Sequence, residues 1–157
     1  MSSGSIQLDA IDRHILNLLQ NDGKLTAKHI ADKIGLTQTP IYERIRKLER
    51  NGVIRGYVAL LDPKLVDKEL VVFMNITLRQ HGEGLRETFI KEMSQLPELV
   101  ELYQTSGTYD FLAKVRIQDV LEFRNFLVEK VGRVGNIKDV DSHVVLEEIK
   151  QSTMIAL

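Results

Sequence analysis

Cysteine and tryptophan are absent from the 157 residues, and proline occurs only three times. Without cysteine there can be no disulfide, no thiolate metal site and no thiol nucleophile, so a zinc finger is excluded. No apolar run approaches the roughly 18–20 residues of a membrane-spanning helix, and the opening MSSGSIQLD lacks the apolar core of a signal peptide. A cytoplasmic protein with no membrane partner is expected. A G-x-S-x-G nucleophile elbow and a phosphate-cradling P-loop are also missing. The four histidines, His14, His29, His81 and His143, show no metal-binding spacing, and His143 reads as a packed or interfacial residue. Neither a metal, a cofactor nor a catalytic residue is expected, and an enzyme is not the reading.

A strong net charge is missing too: the formal value is −1, which by itself argues against unspecific nucleic-acid binding. The distribution says more. Residues 1–64 hold ten Lys or Arg against seven Asp or Glu, and the remainder eleven against fifteen. The first part is therefore basic and the second acidic. With 43% hydrophobic residues, the chain can bury one large core or two small ones.

The basic surplus sits in AKHIADKIGLTQTPIYERIRKLERNGVIRGY, residues 27–57. Ile30 and Ile34 recur at helical spacing, Gly35 stops that helix, and a second helix starts at Thr37, whose hydroxyl is placed to cap it. Pro40 falls in the first turn, where a missing N–H costs little. Along the second helix Ile41, Ile45 and Leu48 form an apolar stripe. A step of roughly 100° per residue puts Thr39, Glu43, Arg46 and Arg50 on the opposite side, with Tyr42 and Lys47 on the flanks.

Two helices about a tight turn, the second basic on its outer face, suit the major groove of DNA. Gln38, Thr39, Tyr42, Glu43 and Arg46 are candidates for base edges, with Thr37 at the helix start. Lys47, Arg50 and Arg55 are candidates for the phosphate backbone. The bland alternative is a solvated helix face in a small bundle.

Asp9 is placed to cap an earlier helix whose stripe is Ile11, Ile15, Leu18 and Leu19, which completes a three-helix head. After Asn51-Gly52 the β-prone run from Val53 to Leu60 predicts a wing or connecting strand. The predicted divisions are a disordered N-terminus, 1–7; a helix-turn-helix domain, 8–56; a linker strand, 57–66; a second domain, 67–152; and a tail, 153–157.

In the second domain the periodicity becomes alternating. Val72, Met74, Ile76 and Leu78 share one strand face, and Val71, Phe73, Asn75 and Thr77 the other. The second face is covered either by its own chain or by another subunit. A helix through Leu85, Phe89, Met93 and Leu96 ends at Pro97. Two strands, 98–105 and 109–117, meet at Ser106-Gly107-Thr108. A helix from Val120 through Phe123, Leu127 and Val131 then precedes a last strand over 137–149. Glu147 and Glu148, adjacent on that strand, point to opposite faces and cannot act as an acid and base pair. Strand, helix, strand, strand, helix, strand is the ferredoxin-like βαββαβ order, so the fold class is α+β with a winged helix-turn-helix head.

These residues resemble the Lrp/AsnC, or feast/famine, family of bacterial and archaeal transcription regulators. The resemblance rests on LDAIDRHILNLLQNDGK, IGLTQTPIYERIRKLERNGVIRGYVALLDP, GTYDF and HVVLEEIKQS, and covers nearly the whole chain. It implies DNA binding by the head and dimerisation through the sheet of the second domain. Further assembly, often into octamers, and modulation by a free amino acid follow from the same resemblance.

The effector site so implied is Gly107, Thr108, Tyr109 and Asp110, with Val140 and Ser142 opposite, from a neighbouring subunit. Gly107 lets the backbone turn and approach a carboxylate, and Asp110 is able to accept from an α-ammonium group or to cap its own hairpin. Thr108 stands where the family commonly has an acidic residue, and Val140 where it commonly has a hydroxyl. A less polar site, for an amino acid with an apolar side chain, is expected. Two other readings stay open: an architectural DNA-binding protein without a ligand, and an enzyme like the sirohaem decarboxylases, which resemble the same two-domain fold.

Overall fold

The computed structural model describes residues 7–157. The expected disordered N-terminus, 1–7, lies outside the described residues except for Gln7. The chain forms two compact units, one of residues 1–60 with 150–157, the other of residues 61–149.

The first unit begins with α1 (Ala10–Asn21), capped by Asp9. The Asp9 carboxylate accepts from the Asp12 N–H at 2.8 Å, and the Asp12 carboxylate accepts from the Asp9 N–H at 3.3 Å, a reciprocal box. Then follow α2 (Ala27–Ile34), capped by Thr26, and α3 (Gln38–Arg50). Ile15, Leu16, Ile30, Ala31, Ile41 and Leu48 form its core, each large side chain contributing about 1.5–3 kcal/mol by leaving water. The three residues between α2 and α3 start with Gly35 at φ 78°, whose N–H donates back to Ala31. That left-handed turn is the one a side chain resists.

Two local expectations fail. Thr37 occupies the cap position of α3 with an extended backbone, but its hydroxyl accepts no cap hydrogen bond. The strand expected over 53–60 does not form: Val53 and Ile54 donate back to Leu48, and the stretch beyond them is not a strand. A strand needs a partner ladder for its backbone groups, and none of the described residues supplies one. The rest of the linker closes in a 3₁₀ turn at Pro63–Val66, capped by Asp62.

The second unit contains β1 (Leu70–Leu78), α4 (Glu83–Ser94), β2 (Leu99–Gln104), β3 (Phe111–Ile117), α5 (Val120–Glu129) and β4 (Ile137–Val144). The sheet order is β2-β3-β1-β4, every neighbouring pair antiparallel. Each strand-helix-strand passage skips one place, which leaves β1 and β3 central, as in a ferredoxin-like sheet. Val72, Met74, Ile76 and Leu78 face a core with Phe89, Met93, Phe111, Phe123 and Phe126. The Phe89 and Phe111 rings lie 4.8 Å apart.

The helical stripes differ from the sequence reading at their ends. Leu85 and Val120 are exposed, and Phe126 takes the buried place on α5 instead. The last strand stops at Val144 rather than 149, so Glu147 and Glu148 do not sit on a strand; Glu148 instead pairs with Arg116 at 2.8 Å.

Candidate DNA-binding face and effector site

In the head, the apolar stripe of Ile41 and Leu48 turns inward and leaves the opposite face of α3 in solvent. Thr37, Gln38, Thr39, Tyr42, Glu43, Arg46, Lys47, Arg50 and Arg55 are all exposed. Among the described residues Arg46, Lys47, Arg50 and Arg55 have no acidic partner within 4.0 Å. Unpaired cations on one helix and just past its end are available to phosphate. Glu49, by contrast, is engaged: it accepts from the Tyr57 hydroxyl at 3.1 Å. Burial, then that hydrogen bond, pushes the Tyr57 phenol up to about 12.

Arg44 was not among the sequence candidates and points elsewhere. Its Nη1 donates to Asp9 Oδ2 at 2.6 Å and to Asp12 Oδ1 at 2.7 Å. The cap bond from the Asp12 N–H, then the guanidinium, holds the Asp9 carboxyl below its ordinary range. The available signal was its place in α3, about 60° from Ile41 and so beside the apolar stripe rather than outside it.

In the second unit, Gly107 turns at φ 133° with nothing within 4 Å of where a Cβ would stand, so the backbone conformation, not crowding, calls for glycine. The turn is tied down at its ends. Thr105 N–H donates to Asp110 O at 2.9 Å, and the Thr105 hydroxyl to Tyr109 O at 2.8 Å. Asp110 N–H donates to Ile76 O, while its Oδ2 accepts from Leu78 N–H at 2.7 Å and its Oδ1 lies 3.4 Å from His81. The Asp110 side chain therefore fastens the turn to β1 rather than capping its own hairpin. Thr108 is exposed.

Tyr109 reaches β4. Its hydroxyl donates to Asp141 Oδ2 at 3.1 Å, and His143 Nε2 is 3.2 Å from the same oxygen. The bond to Asp141 raises the Tyr109 phenol above its usual value. Val140 and Ser142 register with Ile76 and Met74, on the helix-covered side of the sheet, and Val140 packs against the core. Val140 also lines a cleft of about 460 Å³ with Arg79, Leu127, Val131, Val134 and Ile137. Within one chain the turn thus meets Asp141, while Val140 and Ser142 lie on the other face. Strand alternation was the signal for Asp141, one place from each.

The helix-free face of the sheet carries Val71, Phe73 and Asn75 at its centre; Val71 is buried within the chain, and Phe73 and Asn75 are half-buried. Phe73 registers between Lys114 and His143, and Asn75 between Leu112 and Asp141. On this face Lys114 pairs with Glu101 at 3.3 Å and Arg116 with Glu148. Glu101 is held below its ordinary range by the Tyr103 hydroxyl first and Lys114 next.

A helix-turn-helix with a bare basic face, joined to a ferredoxin-like unit, defines a DNA-binding transcription regulator with a separate ligand-binding domain. The chain belongs to the Lrp/AsnC family. The Lrp/AsnC ligand binding domain matches residues 71–155, and a winged helix-turn-helix DNA-binding domain matches residues 8–55. The leucine-responsive regulatory protein of Escherichia coli K12 is 41% identical over 150 residues, covering 96% of this chain and 92% of that protein.

Among solved structures, an AsnC family transcriptional regulator from Agrobacterium tumefaciens superposes with a TM-score of 0.91 at 38% identity, covering 95% of this chain and 97% of that one. A transcriptional regulator of Neisseria meningitidis in complex with L-Met superposes with a TM-score of 0.91 at 30% identity, covering 96% and 97%. No helix among the described residues is long and apolar enough to cross a membrane.

Proposed function

We propose that Gln38, Thr39, Tyr42, Glu43 and Arg46 read base edges of double-stranded DNA, with Thr37 at the helix start, and that Lys47, Arg50 and Arg55 hold the phosphates. The single observation that carries this reading is that all nine are exposed on or beside α3 while its apolar stripe faces inward. The chain regulates transcription in the cytoplasm and does not act as an enzyme. The head, 8–56, and the effector domain, 67–152, divide reading from sensing.

The effector is a free amino acid with an apolar side chain, taken up at Gly107, Thr108, Tyr109 and Asp110 with Val140 and Ser142 from a neighbouring subunit. The L-Met complex of the Neisseria regulator and the leucine-responsive relatives support that chemistry. The protein works as a homodimer or a higher oligomer such as an octamer. The open sheet face centred on Phe73 and the exposed Val58, 85%, and Leu146, 98%, are apolar surface that a second copy would cover.

Fluorescence anisotropy on duplexes selected from a random pool, across a salt series, tests DNA reading. Log affinity should fall linearly with log salt, by about 0.9 per phosphate neutralised, and a flat response would refute it. Calorimetry with leucine, methionine, glutamate and lysine tests the effector, and binding of only the charged pair would refute the apolar assignment. Sedimentation velocity reads the assembly, and a monomer at all concentrations would refute that part.

A further inference from the structure

We propose that Arg44 is a positioning residue for DNA reading: by joining Asp9 and Asp12 at the start of α1, it sets the rotation of α3 about its own axis. The proposal rests on α3 being the reading helix. Each of the two carboxylates divides its oxygens. Asp9 Oδ1 accepts the cap bond from Asp12 N–H, and Oδ2 accepts from Arg44. Asp12 Oδ2 accepts from Asp9 N–H, and Oδ1 accepts from Arg44. The cap of the first helix and the anchor of the third are one network.

Burial of Ile41 and Leu48 decides which face of α3 turns inward, through an attraction that is itself non-directional. Two charge-assisted hydrogen bonds, placed off the stripe, resist a small rotation through geometry. The consequence on the outer face is large. On a helix of roughly 5–6 Å radius, a turn of about 20° moves a side-chain tip by about 2 Å, while a hydrogen bond to a base tolerates only a few tenths of an ångström. Asp12 is also the one buried charged residue among the described ones. Removing Arg44 therefore leaves two neighbouring carboxylates without their shared cation.

The experiment uses the full chain, a duplex enriched by the wild-type protein from a random pool, and a random-sequence duplex. Arg44→Met, which keeps the stem and removes both bonds, should bind the enriched duplex about tenfold or more weakly, the scale of one lost base contact. Its affinity for the random duplex and its salt slope should stay unchanged. Arg44→Lys, which returns a cation between the carboxylates, should recover part of the loss. Lys47→Met serves as the contrast, weakening both duplexes and lowering the slope by about one.

Circular dichroism at the binding temperature checks that each variant is folded. If Arg44→Met does not fold, Arg44→Lys and Asp12→Asn carry the test, with a smaller loss on the enriched duplex alone. Wild-type selectivity in these variants would overturn the proposal. So would an equal loss on both duplexes with a shallower slope, which would make Arg44 a phosphate contact. Failure of the wild-type protein to enrich any sequence would overturn the DNA reading itself, and this assignment with it.

Discussion

The Tyr109 hydroxyl and Asp141 Oδ2 lie 3.1 Å apart, a hydrogen bond that joins the Gly107 turn to the open face of β4. Because the acceptor is a carboxylate, ionising the phenol would place two negative charges side by side, and the phenol is raised above its usual value. In carbon-13 tyrosine NMR, the Tyr109 signal should titrate above the ordinary phenol range. Asp141→Asn should bring it back. An unchanged titration in that variant would mean that the bond does not form in solution.

Acid should loosen the head through Asp9. Its carboxyl is held below the ordinary 3.8 by the Asp12 N–H and by Arg44, so the folded state favours the charged form. A depressed value contributes stability that is complete above the unfolded pKa and is lost as the pH falls through the folded one. Thermal melts followed by circular dichroism should therefore show a falling midpoint below about pH 4. Asp9→Asn, which keeps a capping side chain, should flatten that fall; an identical acid profile would show that Asp9 does not carry it.

The core of the second unit should be intolerant at Phe89. This ring is fully buried and 4.8 Å from Phe111. Truncation to alanine removes its transfer energy and leaves a cavity, so Phe89→Ala should cost about 3–5 kcal/mol. Urea unfolding monitored by far-ultraviolet dichroism measures this, and a midpoint close to that of the wild type would refute the packing described.

The tail should be released by a single side chain. Gln20 holds Ile155 twice, its Nε2 donating to the Ile155 carbonyl at 3.1 Å and its Oε1 accepting from the Ile155 N–H at 2.7 Å. Gln20→Ala should make the Ile155 amide exchange with solvent hydrogen markedly faster while leaving amides inside α1 unchanged. Equal exchange in the two proteins would rule out this tie.

Much of the fold could be read from periodicity, because a buried face imposes it. The run Val72, Met74, Ile76 and Leu78 sits on the core side as alternation predicts, and Ile41 and Leu48 are buried as helical spacing predicts. Ends and isolated strands were harder. Val53 to Leu60 has strand-like residues, but a strand also requires a partner that local sequence does not reveal. Val120 has the right residue type and spacing for burial, yet it begins its helix, where the packed layer has already ended.

The sites were legible in the same uneven way. Exposure of the outer face of α3 follows from the stripe opposite it. The commitment of Asp110 to Leu78 and of Arg44 to Asp9 depends on residues 32 and 35 positions apart in sequence, and spacing along one element carries no such information.

The tail held by Gln20 has a consequence for the path of the chain. Residues 150–157 group with residues 1–60, so the chain comes back to the unit of the head after it has formed the sheet. The head therefore meets the rest of the chain twice, once where it runs on from α3 and once where it returns to α1 at Gln20. These are the same two helices that Arg44 joins.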